Sequence, residues 1–259
     1  MGSAAPFSAI SKVLQGLDKP HGCLLDTNFL IAAIYEVHRF HSEAVSLFDA
    51  MAEAGIPLYV SLSARSEFLD LQRRIILTEA LMQMASEKSK WRISADVLKE
   101  LRNQRRWIGI QAEKEEMPIL SESRIKMVKQ VFLPRTQSGK SGWLELCQYY
   151  LAPLLSTWDQ TVTAMGLQYI GARESEEGKL FSSKLRWETM YELSAKTALS
   201  SMDAMILNVF NSSVFPLLVT TDYDLAYAVL AENNAKTILI PDSLYARKIK
   251  GLRFPVAGS

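Results

Sequence analysis

Four carboxylates in this chain stand where an acid has to be accounted for. Asp26 ends the apolar run Cys23-Leu24-Leu25, and Asp222 follows Leu217-Leu218-Val219-Thr220-Thr221. Short continuous apolar runs read as strands of a parallel sheet, and functional groups gather at the carboxyl ends of such strands, so both acids are expected in one crevice. Asp224 lies just beyond and reaches the same place. Glu67 falls in the first turns of an expected helix, and Asp203 interrupts Met202-Asp203-Ala204-Met205-Ile206 beside an apolar stripe. Both are costly positions for an unpaired charge, and a bound cation would serve all of them. Taken singly, an Asp after a strand also fits a helix cap and a Glu on a helix also fits a solvated face. The set, rather than any member, points to chemistry.

The kind of cation follows from what the chain lacks. Three histidines and two cysteines supply too few nitrogen and sulfur ligands for zinc, which leaves oxygen donors. Oxygen donors suit Mg2+ or Mn2+. A pair of such ions roughly 3.5–4 Å apart activates a water and stabilises the leaving oxygen of a phosphodiester. The cysteines, Cys23 and Cys147, lie far apart and read as core thiols of a reducing compartment, so the expected location is cytoplasmic. The longest apolar run, Phe29 to Tyr35, is too short to span a bilayer, and the amino terminus lacks the basic and apolar regions of a signal peptide. No membrane association is expected.

The acids need elements to position them. Four strands are expected, at 23–26, 57–61, 217–220 and 237–240, alternating with helices, which is the pattern of an α/β parallel sheet covered on both faces. One helix runs from Ser42 through Ala44, Leu47, Phe48 and Met51 to a stop at Gly55. A second starts near Ser63 as N-cap and carries Glu67. A long late helix is expected from Ala195, Ala198, Leu199, Met202, Ile206, Val209 and Phe210, which keep helical spacing over about four turns. A last helix spans 225 to about 231.

Three local motifs resemble those of the PIN-domain nucleases, the superfamily that includes bacterial VapC-type toxins. Leu24-Leu25-Asp26-Thr27-Asn28 with Phe29-Leu30-Ile31 resembles the opening strand and its Asp-Thr-Asn signature. Leu199-Ser200-Ser201-Met202-Asp203-Ala204-Met205-Ile206 is similar to the family's Leu-Ser-x-x-Asp-Ala-x-Ile helix. Thr220-Thr221-Asp222-Tyr223-Asp224-Leu225 resembles its Thr-x-Asp-x-Asp-Phe turn, with Leu225 in place of the aromatic. Glu67 matches by position alone. The resemblance covers about 22–75 and 190–245 and implies a PIN-like three-layer α/β/α sandwich. It implies Mg2+ or Mn2+ held by Asp26, Glu67, Asp203 and Asp222, with Asp224 as a fifth acid and Thr27, Asn28 and Thr220 as supporting hydrogen-bonders. The implied reaction is hydrolysis of RNA phosphodiester bonds to 5′-phosphate ends, in a toxin-like, defence or RNA-processing role. An antitoxin or other protein partner and a homodimer come with that reading.

The rest of the chain departs from compact members of that family. Residues 1–21 read as an N-terminal extension, 76–189 as a mostly helical insertion and 246–259 as a C-terminal tail. The net charge of +1 conceals 15 Lys and Arg against 8 Asp and Glu between residues 71 and 142. Within that stretch Lys88, Lys90, Arg92, Arg102, Arg105 and Arg106 alternate with Trp91 and Trp107, a pattern that tracks a phosphate backbone and stacks on bases, or else a solvated helix with core tryptophans. Gly139-Lys140-Ser141 is no P-loop, because the motif's earlier glycine would fall on Pro134. His38 and His41 are neighbours, but an all-oxygen site needs neither, and His41 reads as a helix start. Two other functions fit the same acids: a structure-specific DNA nuclease, and a PIN-like scaffold that binds RNA or protein without cutting. Cleavage of single-stranded RNA against flap DNA separates the first. The intact acid set argues against the second.

Overall fold

The computed structural model describes residues 2–17, 21–86, 93–113, 118–132, 142–171, 173–176, 178–232 and 235–252. They form two compact units, one of residues 1–68 with 161–259 and one of residues 69–160.

The first unit is α/β, built on six parallel strands: β1 (Ser3–Pro6), β2 (Cys23–Leu25), β3 (Leu58–Ser61), β4 (Gln168–Ile170), β5 (Leu217–Val219) and β6 (Thr237–Ile240), in the order β1-β6-β5-β2-β3-β4. Every residue of β2, β3 and β5 is buried, so both faces of the sheet centre are covered, and this is why these strands are continuous apolar runs without alternation. Two strands lie outside the four expected from sequence. Residues 3–6 pair with Thr237–Ile240, so part of the expected N-terminal extension is an edge strand, while β4 pairs with β3 from within the stretch expected to be helical. The compact unit rich in helices is accordingly 69–160 rather than 76–189. The expected tail begins with a π-helical turn, Tyr245–Ile249, whose Ile249 is buried.

The early helices of the first unit are α1 (Ile10–Gln15), α2 (Thr27–Ile34), α3 (His41–Glu53) and α4 (Leu62–Ser86), whose later turns belong to the second unit. Two of them, α2 after β2 and α4 after β3, begin directly at strand ends. Ser61 rather than Ser63 caps α4, its hydroxyl accepting from the Ala64 amide at 3.2 Å. Two residues earlier than expected, this cap sits at the last position of β3, so strand and helix join without a loop. The second unit contains α5 (Ala95–Glu113), α6 (Glu122–Phe132) and α7 (Gly142–Tyr150), with α8 (Leu154–Ala164) leading back to β4. Its core is Leu77, Leu81, Leu101, Ile125, Val128 and Leu146 with their neighbours.

The long late helix expected from the 195–210 stripe is two helices, α9 (Trp187–Thr197) and α10 (Ser201–Ser212). Ala198 breaks them with a left-handed φ of 57°. The Ser194 hydroxyl then donates to the Leu199 carbonyl at 2.7 Å, and Ser200 starts α10 as its N-cap. An alanine in this conformation costs about 1–2 kcal/mol, and glycine removes that cost while losing up to about 1 kcal/mol in the unfolded chain. Ala198 is exposed, so the change to glycine sacrifices no burial. Ala198→Gly is therefore expected to stabilise the protein by about 0.5–1 kcal/mol, read as a rise of about 2 °C in Tm. After α10 come β5, α11 (Tyr223–Ala231) and β6.

Candidate metal centre

The register of the sheet brings the strand ends together. Leu25 pairs with Val60 on one side and Val219 on the other, so the next residues, Asp26, Ser61 and Thr220, lie side by side at the carboxyl edge. From β2 the chain moves outward through β3 and β4, then returns to place β5 on the opposite side of β2. Strand order therefore reverses between β2 and β5, where open α/β sheets form a binding crevice.

Asp26 has no exposed surface. It stands at the N-cap position of α2, yet its side chain makes no capping hydrogen bond. Instead Oδ2 accepts from the Thr220 hydroxyl at 2.5 Å, and Oδ1 is buried with no hydrogen bond. The cap role available to an acid after a strand is thus not the one Asp26 plays. Burial pushes its carboxyl up to about 8; the charge of Glu67 raises it further, the Thr220 hydrogen bond lowers it, and Asp222 and Asp203 add to the rise. Four of the acids singled out from sequence consequently act on one another, and among the described residues no Lys or Arg is one of the charges that act on Asp26.

Thr220 locks this arrangement: while donating to Asp26 it accepts from the Asp222 amide at 2.9 Å. Thr27, also buried, donates its hydroxyl to the Ala64 carbonyl at 3.1 Å, tying the start of α2 to the first turn of α4 that precedes Glu67. Glu67 is half-buried and its Oε2 is enclosed. Asn28 is half-buried on the first turn of α2.

Asp203 and Asp222 have structural duties as well. In the first turn of α10, Ser200 caps the helix and holds Asp203: the Ser200 hydroxyl accepts from the Asp203 amide at 3.2 Å and donates to Asp203 Oδ2 at 2.6 Å. Asp222 caps α11, with Oδ1 accepting from the amides of Asp224 at 2.6 Å and Leu225 at 3.2 Å. Each cap uses one carboxylate oxygen. Burial raises the Asp222 carboxyl, the two amide hydrogen bonds lower it, and the charges of Asp203 and Asp224 raise it again. Asp224 is exposed and acts on Asp222 but is not among the groups that act on Asp26, which puts it at the margin of the cluster.

The donor set of the cluster is oxygen only and fits a hard divalent cation. The orphaned, buried Oδ1 of Asp26 is the atom a cation would satisfy. Among the described residues, no three His, Cys, Asp or Glu side chains stand close enough to enclose a metal.

The other expected residues fall elsewhere. His41 Nδ1 bonds the Ala32 carbonyl at 2.9 Å and His38 Nδ1 accepts from the Phe40 amide at 3.3 Å, so both are used locally. Arg102, Arg105 and Arg106 are exposed on α5, whereas Lys88, Lys90, Arg92 and Trp91 lie outside the described residues. Trp107 packs on the core of the second unit with Arg124 4.2 Å above its ring, so that face is taken and is no platform for a base. No helix among the described residues is long and apolar enough to cross a membrane. Cys23 is fully buried and burial pushes its thiol up; Cys147 is half-buried and its thiol is raised for the same reason. Compared with family models, curated proteins and solved structures, the chain finds no match.

Proposed function

We propose that this chain is a divalent-metal-dependent nuclease that hydrolyses RNA phosphodiester bonds, with a PIN-like three-layer α/β/α core. The observation that carries this reading is Asp26: a fully buried carboxylate at the switch point of a parallel sheet, with one oxygen orphaned and three acids acting on it. A purely structural acid would cap its helix or meet a cation. Asp26 does neither.

Asp26, Glu67, Asp203 and Asp222 would hold the metal, with Asp224 joining from the margin. Mg2+ or Mn2+ bound there supplies electrophilic activation of the phosphodiester and of the attacking water. Thr220 orients Asp26 through its hydroxyl and fixes Asp222 through the amide bond it accepts. Thr27 holds α4 against α2 so that Glu67 faces Asp26. Burial of Asp26 excludes bulk water from one side of the site, which strengthens every charge interaction within it. The test is cleavage of single-stranded RNA in Mn2+ by the wild type and by Asp26→Asn/Asp222→Asn, with flap DNA as the competing substrate.

The basic surface of α5 supports a nucleic-acid substrate by its chemistry. Three exposed arginines within five residues give an anionic backbone a place to release counterions. Neutralising Arg102, Arg105 and Arg106 together is expected to weaken RNA binding and to flatten its dependence on salt by a slope of up to about 2, leaving metal affinity as it was. An unchanged slope removes α5 from the interface.

A further inference from the structure

A groove of about 370 Å³ opens next to the end of β3, lined mostly by residues outside the sequence motifs. Its floor includes Ser61 and Met205, and its wall includes Phe181, Lys184, Arg186 and Trp187. Ser61 is one strand spacing, about 4.8 Å, from Asp26 across the β2–β3 pair. Met205 lies on α10, the helix whose first turn carries Asp203. The groove and the candidate metal centre therefore share the end of β3 and the helix α10.

Its wall is anchored. The Ser182 and Ser183 amides donate to the Ser212 carbonyl at 2.8 and 3.2 Å, and buried Asn208 donates to the Arg186 carbonyl at 2.9 Å. At its end Trp187 is 66% exposed, and one turn later on the same helix face Tyr191 is 65% exposed. Two large aromatic rings left in water at this spacing are a surface without its occupant. Lys184 is exposed and makes no ion pair among the described residues. Among the described residues the Arg186 side chain pairs with Glu188, at 3.7 Å between two exposed side chains, a pairing worth little.

Resting on the nuclease reading, we propose that Trp187 and Tyr191 stack two successive unpaired bases of a single-stranded nucleic acid. Lys184 and Arg186 hold its phosphates as the strand runs through the groove to the acids. Charge decides between occupants. An acidic cluster repels a polyanion, so a strand that approaches it needs cations beside the entrance; Lys184 and Arg186 stand there, with Glu188 and Glu192 exposed on the same helix as the rings. Stacking is indifferent to base identity, and it requires open π faces, which a duplex does not offer.

The test uses the full chain in EDTA with short fluorescein-labelled oligonucleotides: single-stranded RNA, single-stranded DNA and a blunt duplex of the same sequence. The wild type is expected to bind the single strands with quenching of tryptophan fluorescence, and Trp187→Ala/Tyr191→Ala to bind them about tenfold more weakly or worse. Trp187→Phe should recover part of that loss, and duplex binding should not change. RNA and DNA strands that lose affinity equally identify pure stacking; a larger loss for RNA shows that the platform also reads the ribose. Both rings are exposed, so Tm should be unaltered. Single-strand affinity equal to wild type in the double variant overturns the platform, and if the wild type still cleaves in Mn2+ the nuclease reading stands without it. A wild type that cleaves no better than Asp26→Asn/Asp222→Asn overturns the nuclease reading, and the binding series in EDTA then decides the platform by itself.

Discussion

Asp26→Asn/Asp222→Asn is expected to lose Mn2+-dependent cleavage of single-stranded RNA by at least about a thousandfold, because a bound metal contributes several kcal/mol to the transition state and each 1.36 kcal/mol is tenfold in rate. The substitutions are chosen so that the fold survives them. Asn at 222 still accepts from the amides of Asp224 and Leu225, since Asn caps a helix as well as Asp does. Asn at 26 still accepts from the Thr220 hydroxyl through its amide oxygen. What the pair removes is negative charge at the sheet's switch point. Wild type treated with EDTA should be as inactive as the variant, and Mn2+ or Mg2+ should restore only the wild type. Preference for flap DNA over single-stranded RNA would move the substrate class to branched DNA. Equal cleavage by wild type and variant would end the nuclease proposal, leaving a binding scaffold.

The parts of this molecule that could be read from its sequence are those where one physical demand dominates. β2, β3, β5 and β6 are buried, so they had to be apolar runs, and they were found where expected. The edge strands β1 and β4 carry no such demand. Ser-Ala-Ala-Pro and Gln-Tyr-Ile each have a single strand neighbour and are only partly buried, so their composition resembles that of loops. The split between α9 and α10 was hidden because apolar positions continue in register across Ala198. The signal that could have shown it was Ser200-x-x-Asp203, a serine N-cap with an acid in the first turn, which marks a helix start. That same cap explains part of why Asp203 is where it is. Its place in a motif is therefore less specific to metal binding than that of Asp26, whose side chain caps nothing. Of the residues around the acids, Thr220 was legible as a supporting hydrogen-bonder, whereas Ser61 emerges only once the register of β2 against β3 is known. Trp187 and Tyr191 escaped notice because their shared face exists only after α9 is placed.

Asp26 also makes an unusual prediction about stability. Its carboxyl titrates at about 8 in the folded chain against 3.8 ordinarily, so between those values the folded state holds a proton that the unfolded state has released. Stability of the metal-free protein must then fall as pH rises from about 4 to about 8, the reverse of the usual behaviour of a paired carboxylate. At pH 7 the folded state keeps this carboxyl protonated while the unfolded chain has released the proton, which costs roughly 3–5 kcal/mol. Asp26→Asn removes that cost, keeps the bond from Thr220, and leaves amide hydrogens buried without acceptors at about 1–3 kcal/mol. The net expectation in EDTA is a variant more stable than wild type by about 1–3 kcal/mol at pH 7, a rise of several degrees in Tm, with the advantage gone near pH 4. Added Mn2+ should reverse the order at pH 7, because binding to the folded state alone stabilises the wild type and the variant lacks the charge that attracts the ion. Thermal unfolding at pH 4, 7 and 8, with EDTA and with Mn2+, measures all of this in one series. A variant less stable than wild type in EDTA at pH 7 would show that Asp26 is an ordinary structural acid. A wild type indifferent to Mn2+ would show that its orphaned oxygen is not kept for a metal.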